Sequence, residues 1–138
     1  MADTTQEKVR KLVNEKDKLI SCFGMEIMEV KKGSAKVRMK VGKEHVNAAD
    51  FCHGGVIFSV ADVAFALACN SHGTLALALD MSISFLKAVP VGETITAFCY
   101  ERHAGKSTGS YSIEVTDSRG KLVALLKATA FRKGTPFV

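Results

Sequence analysis

The segment HVNAADFCHGGVIFSVADVAFALACNSHG, residues 45–73, determines how the rest of the chain is arranged. Its polar beginning ends in His53-Gly54-Gly55, and an apolar run over 56–69 follows that contains a single charge, Asp62. A segment that is apolar on nearly all sides predicts a buried helix. Because β-rich sequence lies on both sides of it, we expect a helix wrapped by a sheet.

Two features of this segment point to chemistry. A lone carboxylate inside a buried helix is costly unless it is paired or used. The glycines lie at the start of the helix, where free backbone N–H groups and the helix dipole favour negative charge. A buried carboxylate and a donor-rich helix start in one motif together suggest a reaction at a carbonyl group.

Composition and length exclude several classes of protein. The 138 residues fit a single domain, residues 1–138, with an N-terminal helix over 1–22 leading into it. The net charge is +5, and the basic residues are mixed with acidic ones along the chain, so nucleic acid is not expected as a partner. A small anionic substrate is compatible with this modest positive charge. The apolar helix is shorter than the roughly 20 residues that span a bilayer, so no membrane segment is expected.

The four cysteines are widely spaced, without a CxxC pair, and indicate neither a zinc site nor a redox motif. The N-terminal sequence MADTTQEKVRK lacks the apolar core of a signal peptide. These features favour reduced thiols in a cytoplasmic protein. The cysteines are Cys22, Cys52, Cys69 and Cys99.

Apolar spacing predicts the order of elements along the chain. An amphipathic helix is expected over about 5–21, and the tail over 133–138 is expected to be loose. No βαβ alternation is present, so the pattern favours an α+β fold with a curved antiparallel sheet around one central helix. The predicted strands are 25–31, 35–41, 75–86, 93–103, 110–116 and 121–132.

The motif H-x-N-x(5)-H-G-G-x-x-F-x-x-A-D, which runs from His45 to Asp62, resembles that of the PaaI-type acyl-CoA thioesterases of the hotdog-fold superfamily. The runs AFALACNSHG (64–73), ISFLKAVPVGE (83–93) and ERHAGKSTGSYSIEV (101–115) are similar to that family as well. The resemblance implies a hotdog fold, a homodimer with a continuous sheet and usually a homotetramer. It also implies hydrolysis of a thioester between coenzyme A and an acyl or arylacyl group.

The resemblance assigns roles by position. Asp62 matches the catalytic acidic residue, the Gly54 backbone N–H matches the group that polarises the thioester carbonyl, and Asn47 matches the side chain that orients the carbonyl or the water. His53 is given a supporting role at the turn. Asp62 would attack directly or activate water, and the sequence leaves both routes open.

The spacing of two of these residues makes a separate prediction. Gly54 and Asp62 are eight positions apart on one helix, hence roughly 12 Å along its axis. Both must come within about 3 Å of one functional group. Two antiparallel helices related by a two-fold axis would satisfy this requirement, so we expect an active site shared across a dimer interface.

The sequence departs from the family pattern at two positions. Many relatives have glycine where this chain has Asp50, which affects the shape of the loop. Some distant hotdog thioesterases use a hydroxyl near the position of Ala78. A hydroxyl helper in this chain would come from elsewhere, such as Ser82, Ser84 or Thr74.

Coenzyme A carries several phosphate charges, and cations at strand ends or in the 104–109 loop are candidates to meet it. Each could equally be an ordinary solvated charge. Val89-Pro90 would line the pantetheine channel, and Phe51, Phe58 and Phe65 would line the acyl pocket. No metal and no separate cofactor are expected, since coenzyme A belongs to the substrate. The residues expected at the substrate are Gly55, Phe85, Lys87, Val89, Pro90, Arg102, Gly105, Lys106, Ser107 and Arg132.

Several functions remain compatible with the pattern. The leading one is hydrolysis of a small aryl or arylacyl-CoA such as phenylacetyl-CoA, and a medium-chain fatty acyl-CoA is an alternative substrate. A hotdog protein that binds acyl-CoA without hydrolysing it, as a sensor or scaffold, belongs to another class. A hotdog dehydratase would need a different histidine and acid arrangement. The remaining histidines, His45, His72 and His103, are expected at surface or loop positions.

Overall fold

A computed structural model describes residues 2–138 and confirms the predicted α+β hotdog architecture. Six strands form one antiparallel sheet in the order β1-β2-β4-β5-β6-β3, and the sheet curves around the central helix α3. The helices are α1 (Thr5–Lys16), α2 (Lys18–Phe23) and α3 (Gly54–Asn70), and a short 3-10 turn spans Lys43–His45. The strands are β1 (Met25–Lys31), β2 (Ser34–Lys40), β3 (Thr74–Phe85), β4 (Thr94–Ala104), β5 (Thr108–Thr116) and β6 (Leu122–Pro136).

Helix α3 forms the centre of the core. Its side chains at Val60, Ala64 and Leu67 are completely buried, and alternating residues of the strands, such as Ile95 and Ile113, close over them. The helix starts at Gly54, in agreement with the prediction that the glycines lie at its start, and His53 caps it. No helix among residues 2–138 is both long enough and apolar enough to cross a membrane.

The prediction of one N-terminal helix over 5–21 is wrong in one respect. The segment forms two helices, α1 and α2, which are separated at Asp17. The backbone of Asp17 is extended, with φ −77° and ψ 111°, and its side chain accepts a hydrogen bond from the Leu19 N–H at 3.1 Å. An aspartate that caps the following turn in this way ends one helix and begins another. The break turns the Asp17 carboxyl toward α3.

The prediction of a loose C-terminal tail is also wrong. Strand β6 continues to Pro136, which pairs with Thr74, and the Phe137 N–H donates to the Gly73 carbonyl at 2.8 Å. The tail is therefore tied to the start of β3 by backbone hydrogen bonds. The predicted loop over 104–109 is shorter as well, since β4 ends at Ala104 and β5 begins at Thr108.

Strand β3 lies at one edge of the sheet and pairs with β6 on its other side. Its twelve residues include Leu77, 49% exposed, and Leu79, 63% exposed. A long edge strand with exposed leucines offers unpaired backbone groups and apolar surface to another chain. The opposite edge, β1, is partly covered by α1, from which Arg10 donates to the Ile27 carbonyl at 2.8 Å.

Candidate active site

Asp62 lines an open cavity of about 550 Å³ between α1, α3 and β3, to which Phe137 near the C-terminus also contributes. The residues of α3 that face it follow helical spacing along one side of the helix; they are Asp62, Phe65, Ala66, Cys69 and Asn70. Leu12 and Val13 cover the cavity from α1, and the segment 75–78 of β3 forms its other wall. Most of this lining is apolar.

The Asp62 carboxyl is half-buried and makes neither a hydrogen bond nor an ion pair with another residue of the described chain. Burial raises its pKa above the ordinary value of 3.8, and the negative charge of Asp17 raises it further. A carboxylate that is partly desolvated and unpaired is a stronger base and nucleophile than one in water.

A second cavity lies at the N-terminal end of α3. It is lined by Asn47 and Phe51 from the preceding loop, by Gly54 and Ile57 from α3, and by the segment 85–88 after β3. The ring of Phe85 packs on the helix start, since a Cβ atom on Gly54 would lie 3.0 Å from Phe85 Cζ. This cavity contains the predicted carbonyl-binding groups but not Asp62.

His53 caps α3 through its side chain. Its Nδ1 accepts a hydrogen bond from the Gly55 N–H at 2.9 Å, which requires this nitrogen to be unprotonated. The Gly55 N–H is therefore used within the chain, although Gly55 was predicted at the substrate. The Gly54 N–H has no hydrogen-bond acceptor among residues 2–138 and lies at the positive end of the helix dipole.

The loop before α3 is held by Asn47. Its Oδ1 accepts from the Ala49 N–H at 2.9 Å and from the Phe51 N–H at 3.2 Å. The side-chain amide nitrogen of Asn47 is not used in these bonds and remains a donor at the edge of the second cavity. Asn47 thus shapes the loop, and its place beside Gly54 also allows contact with a carbonyl.

Asp50 has φ +65°, the left-handed conformation that glycine adopts without strain. Aspartate tolerates this region better than most residues, because its short side chain is small and polar. Aspartate in place of the family glycine is therefore compatible with a left-handed backbone conformation at this position of the loop.

The structure places Asp62 and Gly54 in two different cavities of one chain, as the spacing of roughly 12 Å on one helix requires. Phe65 lines the Asp62 cavity and Phe51 lines the Gly54 cavity, whereas Phe58 lies between them on α3 and is partly buried. The predicted residues are thus divided between two cavities, which we call the Asp62 half-site and the Gly54 half-site.

Two of the predicted coenzyme A cations are engaged within the chain. Lys87 forms a hydrogen-bonded ion pair with the buried Asp117. The pKa of Asp117 is lowered to about 2 by this bond and by the hydrogen bonds from the Lys121 and Arg119 N–H groups. Arg132 was expected to be exposed, but only 12% of its side chain is accessible, and it lies 3.5 Å from Glu101 Oε2.

The other predicted substrate contacts line neither of the two half-sites of the described chain. Arg102 lies over the ring of Tyr100 on the exposed part of β4. Gly105, Lys106 and Ser107 form a tight turn that is closed by the Gly105 N–H bond to the Thr108 carbonyl at 2.8 Å. The glycine is needed for this turn, because a Cβ atom would lie 2.9 Å from that oxygen.

Val89 and Pro90 hold the loop before α3. The Val89 carbonyl accepts from the Cys52 N–H at 2.8 Å, and Pro90 forms a bridge with Phe51. The side chain of Val89 is 1% exposed and packs in the core, and its place at the pantetheine channel stays a prediction. Pro90 is exposed.

The hydroxyl candidates differ in their location. Ser82 and Ser84 line a shallow depression with Tyr100 and Lys127, away from Asp62, and Thr74 lies at the start of β3. Ala78 does line the Asp62 cavity, as expected for the family position, but it has no hydroxyl group.

Sequence reasoning missed a partly buried polar cluster at the C-terminal end of α3. Glu101 Oε2 accepts from Tyr111 Oη at 2.7 Å and lies 2.7 Å from His72 Nε2. Although burial raises the pKa of Glu101, the bonds from His72 and Tyr111 hold it below the ordinary value. No local pattern marks these partners, because they are brought together by strand pairing.

Among the other histidines, His103 is exposed on β4, whereas His45 is 3% exposed and accepts from the Gly42 N–H through Nδ1. His45 lies in a loop turn as predicted, but it is not at the surface. Residues 2–138 contain no cluster of three or more histidine, cysteine or acidic side chains arranged to hold a metal ion.

Comparison with known proteins agrees with this geometry. The thioesterase superfamily model matches residues 49–124. The acyl-coenzyme A thioesterase PaaI of Escherichia coli is 42% identical over 120 residues, which cover 87% of this chain and 86% of that protein. A protein of Archaeoglobus fulgidus named as a candidate esterase is 49% identical over 95% of this chain and 85% of its own length.

Solved structures show the same fold. The E. coli PaaI protein of the phenylacetic acid degradation operon superposes with a TM-score of 0.93 at 38% identity, covering 96% of both chains. A hypothetical thioesterase protein from Streptococcus pneumoniae, solved with coenzyme A, superposes with a TM-score of 0.80 at 29% identity, over 85% of this chain and 92% of that one. The chain belongs to the thioesterase superfamily and is a hotdog-fold thioesterase of the PaaI type.

Proposed function

We propose that the chain hydrolyses the thioester of small aryl or arylacyl-CoA substrates, of the phenylacetyl-CoA type, at a site shared by two copies. The observation that supports this most directly is the division of the thioester machinery between two cavities. Asp62 lies in one of them, and the free Gly54 N–H lies with Asn47 in the other.

A stripe along α3 supports association through this helix. The residues of α3 that are incompletely buried are spaced by three or four positions on one side of the helix. The stripe ends at the Gly54 half-site in one direction and passes the Asp62 half-site in the other. It consists of Gly54, Gly55, Phe58, Ser59, Asp62 and Ala66.

The exposed edge of β3 gives the same geometry independently. If two β3 strands pair antiparallel about their midpoint, between Leu79 and Asp80, the Phe85 end of one strand faces the 75–78 segment of the other. Phe85 lies on Gly54, and the 75–78 segment lines the Asp62 cavity. One two-fold axis thus brings Gly54 of each chain toward Asp62 of its partner.

In this arrangement each group has a chemical task. The Gly54 N–H would donate to the thioester oxygen and stabilise the negative charge that grows there as the carbonyl is attacked. Asn47 would orient the carbonyl or the water, while His53, which caps the helix, fixes the direction of the N–H groups. Asp62 would attack the carbonyl carbon or take a proton from water.

The lining of the cavity supports an apolar acyl group. The ring of Phe65 and the side chains of Leu12, Leu75 and Leu77 surround the space next to Asp62. A cavity of about 550 Å³ is ample for a small aryl or arylacyl group. The net charge of +5 favours the approach of the polyanionic coenzyme A moiety.

The same proposal includes a tetramer of two dimers in the cytoplasm. The four cysteines are free, and three of them are buried, which suits a reducing compartment.

The first test measures release of free coenzyme A from a panel of acyl-CoAs by the wild type and by Asp62→Asn. The panel runs from short and medium straight chains to benzoyl, phenylacetyl and hydroxylated phenylacetyl thioesters. The protein's own cysteines react with thiol reagents, so an enzyme-only blank is included. We expect arylacyl-CoA turnover by the wild type and its loss in the folded variant. Tight binding without turnover in both proteins would favour the acyl-CoA sensor.

A subunit-mixing experiment tests the shared site. Asp62→Asn and Gly54→Pro chains carrying different tags are co-expressed, and mixed dimers are isolated through both tags. A shared site would restore one intact site in each mixed dimer, hence up to about half of the wild-type activity, because a tetramer that carries both tags can also consist of two inactive parental dimers. If each site belonged to one chain, the mixed dimers would be as inactive as either parent.

A further inference from the structure

A second carboxylate faces the cavity that contains Asp62. Asp17 lies at the break between α1 and α2 and lines this cavity together with Leu12 and Val13. Its side chain is half-buried, and the hydrogen bond from the Leu19 N–H fixes its position. The hydrolysis proposed above has no use for this group.

We propose that Asp17 is a specificity-determining and positioning residue, whose negative charge makes this cavity selective for uncharged acyl groups and acts on the Asp62 carboxylate. The inference depends on the proposed function, because it takes the cavity beside Asp62 to be the acyl pocket. The substrate class that follows is an acyl-CoA whose acyl group carries no carboxylate.

The distribution of charge supports this assignment. The two acids, Asp17 and Asp62, and one cation, Lys16, are the charged side chains that line the cavity. Lys16 is exposed and forms no ion pair with either acid, so its charge is mostly screened by water. The cavity is therefore acidic, and the phosphates of coenzyme A would avoid it while a neutral acyl group would not.

The other elements around Asp62 bring little charge. Cys69 on α3 has a pKa raised by burial to about 12 and stays neutral, and the 75–78 segment of β3 and Phe137 are apolar. In the proposed dimer, the partner's His53 and the partner's Lys87 would also approach Asp62. In each chain, however, His53 is used in the cap of α3 and Lys87 is paired with Asp117. Asp17 is thus the charge best placed to act on Asp62.

Two effects follow from like charges in a partly buried site. A carboxylate at the far end of an acyl group would be repelled by Asp17, while an uncharged group of the same length would not. The same charge opposes ionisation of Asp62, which agrees with the direction of the pKa of Asp62. Removing the charge of Asp17 should therefore relax selectivity and move the acid limb of the pH–rate profile to lower pH.

The experiment compares hexanoyl-CoA with adipyl-CoA, which have the same chain length and differ in a terminal carboxylate. The kcat/KM ratio and the pH profile of kcat are measured for the wild type, Asp17→Asn and Asp17→Ser. Both replacements can accept the Leu19 N–H bond, so the helix break is kept. Glu15→Gln is the matched control, because it removes an exposed acidic charge two residues away that does not line the cavity.

We expect the Asp17 variants to lower the preference for hexanoyl-CoA by roughly tenfold or more, the scale of repulsion between charges a few ångströms apart in a protein site. Their acid limb should lie at lower pH than that of Glu15→Gln. An unchanged preference and acid limb in a folded Asp17 variant would overturn the inference. Failure of the proposed function is distinguishable, because it would appear as no turnover of any acyl-CoA by the wild type.

Discussion

Gly54 allows the role of one backbone N–H to be tested by exchange of a single residue. It is the first residue of α3, a position at which proline is well tolerated because this N–H is not used by the helix. The preceding residue, His53, has φ −61° and ψ 136°, which is the extended conformation that residues before proline prefer. Gly54→Pro should therefore remove the donor and leave the helix in place.

The magnitude follows from comparison with Gly54→Ala. Both variants place a Cβ atom about 3.0 Å from Phe85 Cζ. The ring of Phe85 is 53% exposed and can move, so this added bulk should cost about 1 kcal/mol at most in either variant. Loss of one oxyanion donor lowers kcat by about 10²–10³, equivalent to about 3–4 kcal/mol. Proline should thus be at least tenfold worse than alanine.

The assay is steady-state release of coenzyme A, with kcat and KM determined separately and folding followed by circular dichroism. Removal of a donor that acts on the transition state lowers kcat, whereas the contact of the added Cβ atom with Phe85 is common to both variants. Equal kcat values for the folded proline and alanine variants would refute the assignment of the Gly54 N–H as the oxyanion donor.

Three further predictions concern stability. Burial raises the pKa of Asp62, so its ionised form destabilises the fold above that pKa. Asp62→Asn should therefore raise the melting temperature at pH 7, and the gain should shrink toward pH 4. A gain that persists at low pH would contradict this. Lys87→Met should lower the melting temperature near pH 7, and the difference from the wild type should disappear as the pH falls from about 4 to about 2. The reason is that the ion pair stabilises the fold only while the Asp117 carboxylate, whose pKa is lowered, is ionised. A difference in thermal scans that is independent of pH would argue against the ion pair as its source. Because the φ angle of Asp50 is +65°, Asp50→Val should lower the free energy of unfolding, measured in urea, by about 1–2 kcal/mol. Asp50→Gly and the control Asp50→Asn should leave it nearly unchanged. Equal stability of all three variants would exclude strain at this position.

The fold could be predicted because its determining signals are local. The apolar run of α3 and the alternation in the strands are visible in short windows, and both are confirmed. The error at the C-terminus occurred where a distant contact decided the structure, and the error at Asp17 where a single local bond did. The tail over 133–138 contains glycine and proline, yet its backbone hydrogen bonds to Gly73 and Thr74 hold it in β6. The break at Asp17 depends on a single capping bond that helical periodicity does not reveal.

The site was predictable to a different extent. The motif over 45–62 indicated Asp62, Gly54 and Asn47, and these stay predictions that the proposed experiments test. The positively charged residues were harder, because sequence does not show which charges are already paired. Arg132 lies beside Glu101, more than thirty positions before it, only because β4, β5 and β6 are neighbours in the sheet.

The separation of the two half-sites connects stability, assembly and activity. A chain that placed Asp62 next to its own Gly54 would have to bend or break α3, and the core packs around this helix. Keeping the helix intact leaves the two groups roughly 12 Å apart, and in the proposed dimer an antiparallel copy of the same helix would supply the missing group. The exposed leucines of the β3 edge and the incompletely buried stripe on α3 are the surfaces that such a copy would cover. Activity in this design depends on association, so the surface that forms the dimer and the surface that forms the site should be altered by the same substitutions.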